Sequence, residues 1–330
     1  MLDVKAYENF EQASKAVLSF LQARLGLSLW MVTRTDGQNW VVLNIEDSFY
    51  QIQAGSVFKW TDSFCSRMAQ GLGPRIAPDV AQCEAYLQAP IGQQIPIKAY
   101  VGVPLLDKHG LLFGTLCAID PHTQSSSIEN ELPLVELCAR LLMTILESDM
   151  QKAEAQRHAE RAEQDALKDG LTSLYNRRAW DNLLMKEELR CSQYGYSAAV
   201  VVLDLDYLKV VNDKQGHIAG DNLLKSIVQC LQQVVTSKDI VARIGGDEFV
   251  VLLVETDDNQ AKTLVDRLEQ QLSSAKIEAS VGYDVRHPTY GIIHAWNHAD
   301  RKMYANKMAK RRDKPQDTVQ RKPHEPDYFL

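Results

Sequence analysis

Two apolar runs, Asp239-Ile240-Val241-Ala242-Arg243-Ile244 and Val250-Val251-Leu252-Leu253-Val254, are joined by Gly245-Gly246-Asp247-Glu248-Phe249. Two strands and a tight turn fit this pattern, because paired glycines admit the positive φ that hairpin turns require. Beside the glycines stand two carboxylates that a turn does not need. A loop without side chains lets a phosphate or base approach the backbone, and adjacent acids can hold a divalent metal on that phosphate. Taken alone, Gly-Gly-Asp is equally an ordinary polar turn, and the rest of the chain has to decide.

At 330 residues the chain has room for two domains of ordinary size. A net charge of −7 argues against a general polyanion-binding surface, so any nucleotide must be held by local groups. The six cysteines, at 65, 83, 117, 138, 191 and 230, form no Cys-x-x-Cys pair and no zinc spacing. The start, Met1-Leu2-Asp3-Val4-Lys5, does not read as a secretory signal, and no apolar run approaches membrane-spanning length. A cytoplasmic protein with reduced thiols is the expectation.

Residues 1–25 read as an amphipathic helix, with Phe10, Ala13, Val17, Leu18, Leu21 and Leu25 at helical spacing. Strand-like segments follow at 29–34, 40–45, 99–104 and 111–119, with a turn at Asp107-Lys108-His109-Gly110. With a helix near 62–70 and a closing helix at 132–147, this describes an α+β sensor-like module over 1–147. The last helix runs on without Pro or Gly as a linker over 148–168. Leu141, Ile145, Ser148, Lys152, Ala155, Ala159, Ala162 and Ala166 alternate by four and three, a weak heptad seam; a solvated linker helix has the same spacing. Asp169-Gly170 stops it. A second domain over 169–312 alternates helix 177–194, strand 197–204, helix 220–235, the hairpin 239–254, helix 259–273, strand 277–285 and helix 294–311. The buried strand Ala198-Ala199-Val200-Val201-Val202-Leu203 predicts a sheet covered on both faces. The tail 313–330, rich in Lys, Asp and Pro, reads as disordered.

The chemistry accumulates in the second domain. If strand 198–203 lies beside the hairpin, Asp204 at its end and Asp247 in the turn converge, as a phosphate-bound magnesium requires. Asp206 is read first as the N-cap of a helix starting at Tyr207. In Lys209-Val210-Val211-Asn212-Asp213-Lys214-Gln215-Gly216-His217-Ile218-Ala219-Gly220-Asp221, the Asn-Asp pair and the glycines are loop chemistry. Asn212 and Asp221 could nonetheless read a guanine edge, since a carboxylate accepts from N1–H and the amino group. Gly220-Asp221 at a helix start would leave free N–H groups for an anion. His217 reads as structural.

Asp204-x-Asp206-x-x-Lys209-x-x-Asn212-Asp213-x-x-Gly216-His217-x-x-Gly220-Asp221, followed by Arg243-x-Gly245-Gly246-Asp247-Glu248-Phe249, resembles the GGDEF diguanylate cyclase domain. Upstream, Asp169-Gly170-Leu171-Thr172-Ser173-Leu174-Tyr175-Asn176-Arg177-Arg178 is similar to that family's entry segment. Downstream, Ser280-Val281-Gly282 and Ala299-Asp300-x-x-Met303-Tyr304-x-x-Lys307 match its closing strand and helix. The resemblance covers about 169–312. It implies a palm-like fold, a central sheet covered by helices, that condenses two GTP into cyclic di-GMP and two pyrophosphates across a homodimer. By position it implies that Asp204, the Leu205 carbonyl, Asp247 and Glu248 hold magnesium, or manganese in its place. Asp247 and Glu248 would be catalytic, with Glu248 the candidate general base. Asn212 and Asp221 would recognise guanine beside Gly245 and Gly246, while Lys209, Lys307 and Arg311 would contact phosphates.

Some positions depart from the family. Leu208 stands where Phe is common, Asn306 where Ala is common and Lys310 where Gly is common; the last two are expected at the helix surface. The inhibitory product motif, Arg-x-x-Asp, keeps its acid as Asp239 but has Thr236 in the arginine position. Losing that guanidinium fork argues against product feedback through the site. The N-terminal domain resembles a GAF sensor through Phe64-Cys65, Ile76-Ala77-Pro78-Asp79, 100–105 and 114–120. Such domains bind varied small molecules or only dimerise. No cysteine is followed by His, so a covalent bilin is not expected, and Cys117 reads as a core residue.

The expectation is therefore an α+β protein, a GAF-regulated diguanylate cyclase whose linker helices pair two copies, with no nucleic-acid or membrane partner. A nucleotide-binding effector without turnover is the alternative, favoured by degenerate signature residues; here all five are intact.

Overall fold

The computed structural model describes residues 6–164 and 167–312, the side chains of Ala162, Gln164 and Arg311 excepted. The tail 313–330 and the seam positions Ala162 and Ala166 lie outside what is described.

The first body begins with helix α1 (Phe10–Leu25), which Asn9 opens by accepting from the Gln12 N–H and Gly26 closes at φ 73°. Then come β1 (Leu29–Thr35), β2 (Asn39–Asp47), β3 (Val57–Lys59), α2 (Phe64–Ala69), β4 (Ile76–Ala77), α3 (Glu84–Leu87), α4 (Ile91–Gln94), β5 (Ala99–Leu106) and β6 (Leu112–Asp120). These strands form an antiparallel sheet in the order β3-β2-β1-β6-β5-β4. The turn between β5 and β6 stands where the sequence places it: Asp107 Oδ1 accepts from the N–H groups of His109 and Leu111, both at 2.8 Å. Alternation sends Trp30 and Val32 to the face covered by α1, and Leu29 and Met31 to the face covered by the short helices.

Helix α5 (Leu132–Gln164) is one continuous element of 33 residues. Its first half packs on the first sheet through Val135, Leu142 and Leu146. Its second half docks on the second domain of the same chain.

That domain comprises α6 (Arg177–Tyr194), β7 (Ala198–Leu205), α7 (Leu208–Gln215), α8 (His217–Gln232), β8 (Ile240–Arg243), β9 (Glu248–Val254), α9 (Asp258–Ser274), β10 (Ala279–Val285) and α10 (Gly291–Arg312). The sheet order is β10-β7-β9-β8, antiparallel throughout. Strand β7 is buried along its whole length. Ala198, Val200 and Val202 join Trp180, Ile292 and Met303 of α6 and α10, while Ala199, Val201 and Leu203 join Leu224, Ile227 and Leu268 of α8 and α9. Both faces are covered, as the unbroken apolar run implies.

The segment 208–221 differs from expectation. It is the short helix α7 and the start of the 16-residue helix α8 rather than a loop, broken only at Gly216, where φ is 83°.

Candidate active site

Alternation along β7 and β9 decides where their polar residues go. Val200 and Val202, like Val250 and Leu252, face α6 and α10, so Asp204 and Glu248 extend the same row. The two are directly opposite in the register, which sets their Cβ atoms about 5 Å apart. The Leu205 N–H donates to the Asp247 carbonyl at 2.9 Å and fastens the turn across the end of β7. Asp204, Asp247 and Glu248 are thereby gathered at one end of the two central strands. Lys307 reaches them from α10 and pairs with Asp204 Oδ1.

The crowding is visible in the Asp204 carboxyl, which stands at about 6: burial raises it, Lys307 opposes, and the charges of Asp247 and Glu248 raise it further. Acids that disfavour one another's ionisation form a donor set that a divalent cation relieves. Hard oxygens from only two or three residues suit magnesium, which keeps several waters. The residues fit that ion.

The glycines work differently from expectation. Neither Gly245 nor Gly246 adopts positive φ. A Cβ on Gly245 would stand 2.6 Å from Glu248 Oε2, so its hydrogen makes room for the acid; Gly246 has nothing within 4 Å and faces open space.

Asp206 is not a helix N-cap. It is buried, accepts from Ser280 Oγ at 2.9 Å and holds β10 to the end of β7. Tyr207 takes the cap position of α7 with no side-chain hydrogen bond, in left-handed geometry at φ 66°. Gly220-Asp221 likewise does not start a helix, because α8 begins at His217 and the Gly220 N–H already reaches the Gly216 carbonyl.

The remaining residues fall as follows. Asn212 is half-buried on α7, and its Oδ1 lies where a Cβ on Gly220 would stand, 1.9 Å away. Any side chain at Gly220 would displace the Asn212 side chain from this position. Lys209 and Asp221 are exposed. Arg311 is on α10, one turn beyond Lys307, with its side chain outside what is described. Asn306 is not at the surface as expected: α10 lies along β10, so Asn306 is half-buried and its Oδ1 is enclosed without a hydrogen-bond partner. Lys310 is exposed yet reaches back to the Ala279 carbonyl.

Two positioning residues carried no assigned role in the sequence. Arg243 donates to Asp169 Oδ1 at 3.2 Å and to the Gly246 carbonyl at 2.7 Å, so it pins the glycine turn to the segment entering the domain. Asp169 also accepts from the Thr172 N–H and hydroxyl. Burial works against its charge, but Thr172 and then Arg243 outweigh that and hold its carboxyl below the usual range. The pattern Asp-x-x-Thr followed by a distant Arg was the available signal.

At the product-motif position, Asp239 spends both oxygens locally. One accepts from the Thr236 N–H and hydroxyl at 2.7 and 2.8 Å, the other from the Val254 N–H at 3.1 Å. In the first domain, Met31, Trp40, Phe64, Cys65, Tyr100 and Cys117 line a cavity of about 20 Å³. That is room for about one water.

Residues 166–313 match the family model described as diguanylate cyclase, GGDEF domain, and residues 9–146 match the GAF domain. The chain carries a GAF domain followed by a GGDEF domain. The chain is 30% identical over 163 residues to a probable diguanylate cyclase, DgcC, of Escherichia coli, covering 47% of this chain and 44% of that protein. It is 39% identical over 166 residues to the diguanylate cyclase DgcP of Pseudomonas aeruginosa, covering 49% of this chain and 24% of that one. The chain thus spans less than half the length of these curated relatives. Among solved structures, the GGDEF domain of DgcB from Caulobacter crescentus in complex with c-di-GMP aligns at a TM-score of 0.42 and 28% identity, covering 44% of this chain and 92% of that one. No helix among the described residues is long and apolar enough to cross a membrane.

Proposed function

We propose that this GAF–GGDEF chain is a diguanylate cyclase that condenses two GTP into cyclic di-GMP across a homodimer. The observation that carries the reading is the meeting of Asp204, Asp247 and Glu248 at the turn, with Lys307 facing them. Asp204, the Leu205 carbonyl and Asp247, with Glu248 at hand, would hold magnesium or manganese. That ion supplies charge stabilisation at the reacting phosphate. Lys209, Lys307 and Arg311 would neutralise the triphosphate, and Asn212 with Asp221 would read guanine. Lys307 would exchange its pairing with Asp204 for a phosphate when GTP arrives.

The 3′-hydroxyl oxygen of one GTP forms a bond to the α-phosphorus of the other, the bond to pyrophosphate breaks, and the hydroxyl proton passes to Glu248. A second such transfer closes the ring. Each chain supplies half of the chemistry, so two turns must face one another. The seam of α5 supports pairing: Leu141, Ser148, Lys152, Ala155 and Ala159 are all exposed, while Leu142, Leu146 and Arg157 on the other side are buried in their own chain. The GAF domain would bias that pairing. Its cavity, with room for about one water, supports a sensor that acts by contact or opens to admit a ligand.

The test is incubation of the purified chain with GTP and Mg²⁺. Formation of cyclic di-GMP and pyrophosphate, rising with protein concentration as dimers form, is expected. GTP binding without any cyclic dinucleotide would establish the non-catalytic effector instead.

A further inference from the structure

Away from the carboxylate cluster, the first half of α10 and the end of β10 bring together a different set of donors. His294 and His298 are four apart on α10 and share one face, with ring centroids 4.2 Å apart. Asp284 of β10 faces them: its Oδ2 lies 3.5 Å from His298 Nδ1. One donor atom from each of the three residues lies within 4.8 Å of the other two. We propose that Asp284, His294 and His298 form a binding site for a divalent transition metal, zinc foremost, distinct from the GTP site.

Ligand chemistry selects the metal class. Two imidazoles and one carboxylate suit Zn²⁺, Co²⁺ or Ni²⁺, whereas magnesium and calcium favour all-oxygen sets. Geometry agrees. Metal–ligand distances of about 2.1 Å in a tetrahedron place donors about 3.4 Å apart. The pair of Asp284 and His298 is already there at 3.5 Å, and the His294 nitrogen, within 4.8 Å of both donors, has at most about 1.4 Å to move in.

The surroundings supply orientation. Lys302 Nζ donates to Asp284 Oδ1 at 2.6 Å and to the Tyr283 carbonyl at 2.9 Å, which holds the carboxylate while leaving Oδ2 toward the histidines. Tyr290 packs on the His294 ring at 5.0 Å and His287 packs on Tyr290 at 5.0 Å, restricting the ring on its other side. Three protein ligands leave a fourth position for water or an exogenous donor. Bound metal would tie α10 to β10 about 14 Å, nine residues of helix, before Lys307.

Titration calorimetry of the full chain with Zn²⁺, in excess Mg²⁺ to fill the oxygen site, is expected to give one site per chain and a raised unfolding temperature. Co²⁺ should give visible d–d absorption without near-ultraviolet thiolate charge-transfer bands, because all six cysteines are placed elsewhere and five of them are buried. His294→Ala and His298→Ala should each weaken Zn²⁺ at least about tenfold, since loss of a mere outer-shell partner already costs that much. Asp284→Asn, which keeps shape, should do so too, and Asp247→Asn should leave the affinity unchanged. Absence of saturable Zn²⁺ and Co²⁺ binding, full binding in the doubly substituted His294→Ala, His298→Ala chain, or thiolate bands with Co²⁺ would each overturn the assignment.

Discussion

Gly282 in β10 ties the fold to the proposed chemistry, and replacing it with alanine gives the sharpest test. A Cβ there would stand 2.2 Å from both the Ala299 carbonyl oxygen and the Met303 nitrogen, and 2.9 Å from the Lys302 carbonyl carbon. All three are backbone atoms of α10, so no side chain can swing aside. Ordinary contact begins near 3.5 Å, so the helix must retreat from the sheet by about 1 Å. Overpacking of this kind costs about 1–3 kcal/mol. Because α10 also carries Lys307, paired with Asp204, and packs Trp296 edge-on against Trp180, the retreat moves the cation proposed to meet phosphate and perturbs an aromatic contact together. A displacement of about 1 Å in a positioned group can lower turnover about 100-fold. Denaturant unfolding, near-ultraviolet circular dichroism and cyclic di-GMP formation would be measured side by side. Gly170→Ala is the control, since a Cβ there meets nothing within 4 Å. If Gly282→Ala matched the wild type in stability and turnover while the control did too, the claim that this glycine sets the distance between α10 and β10 would be refuted.

Four further outcomes are expected. Glu248→Gln should lower the rate of cyclic di-GMP formation by roughly 10²–10⁴ if Glu248 takes the hydroxyl proton; wild-type turnover in a steady-state assay would exclude that role. Asp247→Ala should abolish metal-dependent turnover yet leave the circular dichroism spectrum intact, because the residue lies in a turn. Arg157→Met should cost about 3–5 kcal/mol by chemical denaturation, because Glu187, fully buried and bonded to Arg157 at 3.1 Å, would lose its main partner; a loss under 1 kcal/mol would show that Arg190 suffices. Glu188 is held below the usual carboxylate range, since the bonds and charge of Arg286 outweigh burial. Its contribution is present above about pH 4.5 and lost as pH falls through its lower folded value, so Glu188→Gln should flatten the acid limb of a stability-against-pH curve.

Regular periodicity was legible in the sequence, and local breaks in it were misread. Helix α6 falls at 177–194 as its spacing predicts, and the hairpin stands where two apolar runs flank the glycines. The segment 208–221 was misread because Asn, Asp and Gly are turn formers, yet here Gly216 alone breaks the chain direction and Gly220 serves helix packing. The strands β3 and β4, three and two residues long, carry no period to detect. Asp204 and Asp247 could be paired from the strand pattern, but the clamp from Arg243 to Asp169 spans 74 positions and needs the sheet to become visible. Asp206 shows the limit from the other side: the same residue type caps helices and braces strands, and only the neighbouring Ser280 decides.

Helix α5 has two faces with opposite commitments, and this bears on how a signal could pass between the domains. One face is locked to its own GGDEF domain. Arg157 binds Glu187 and Glu255, Arg190 joins Glu187 to Glu160, and Arg161 donates to the Ser237 and Lys238 carbonyls. Arg34 of β1 adds a second tie by donating to the Tyr194 carbonyl at 2.6 Å and lying over the Tyr196 ring. The other face carries the seam positions Leu141, Ser148, Lys152, Ala155 and Ala159, which are exposed, while Ile145 of the same seam packs on its own domain. In a chain so tied, a shift of the GAF domain cannot be absorbed by a slack linker. It must either pull Arg157 away from the fully buried Glu187, which costs about 3–5 kcal/mol for a buried charge left without that partner, or move the whole GGDEF domain with the helix. The second route is the cheaper, so on the proposed dimeric reading a change in how two seams pair would carry both glycine turns with it and reset the distance between the two bound GTP.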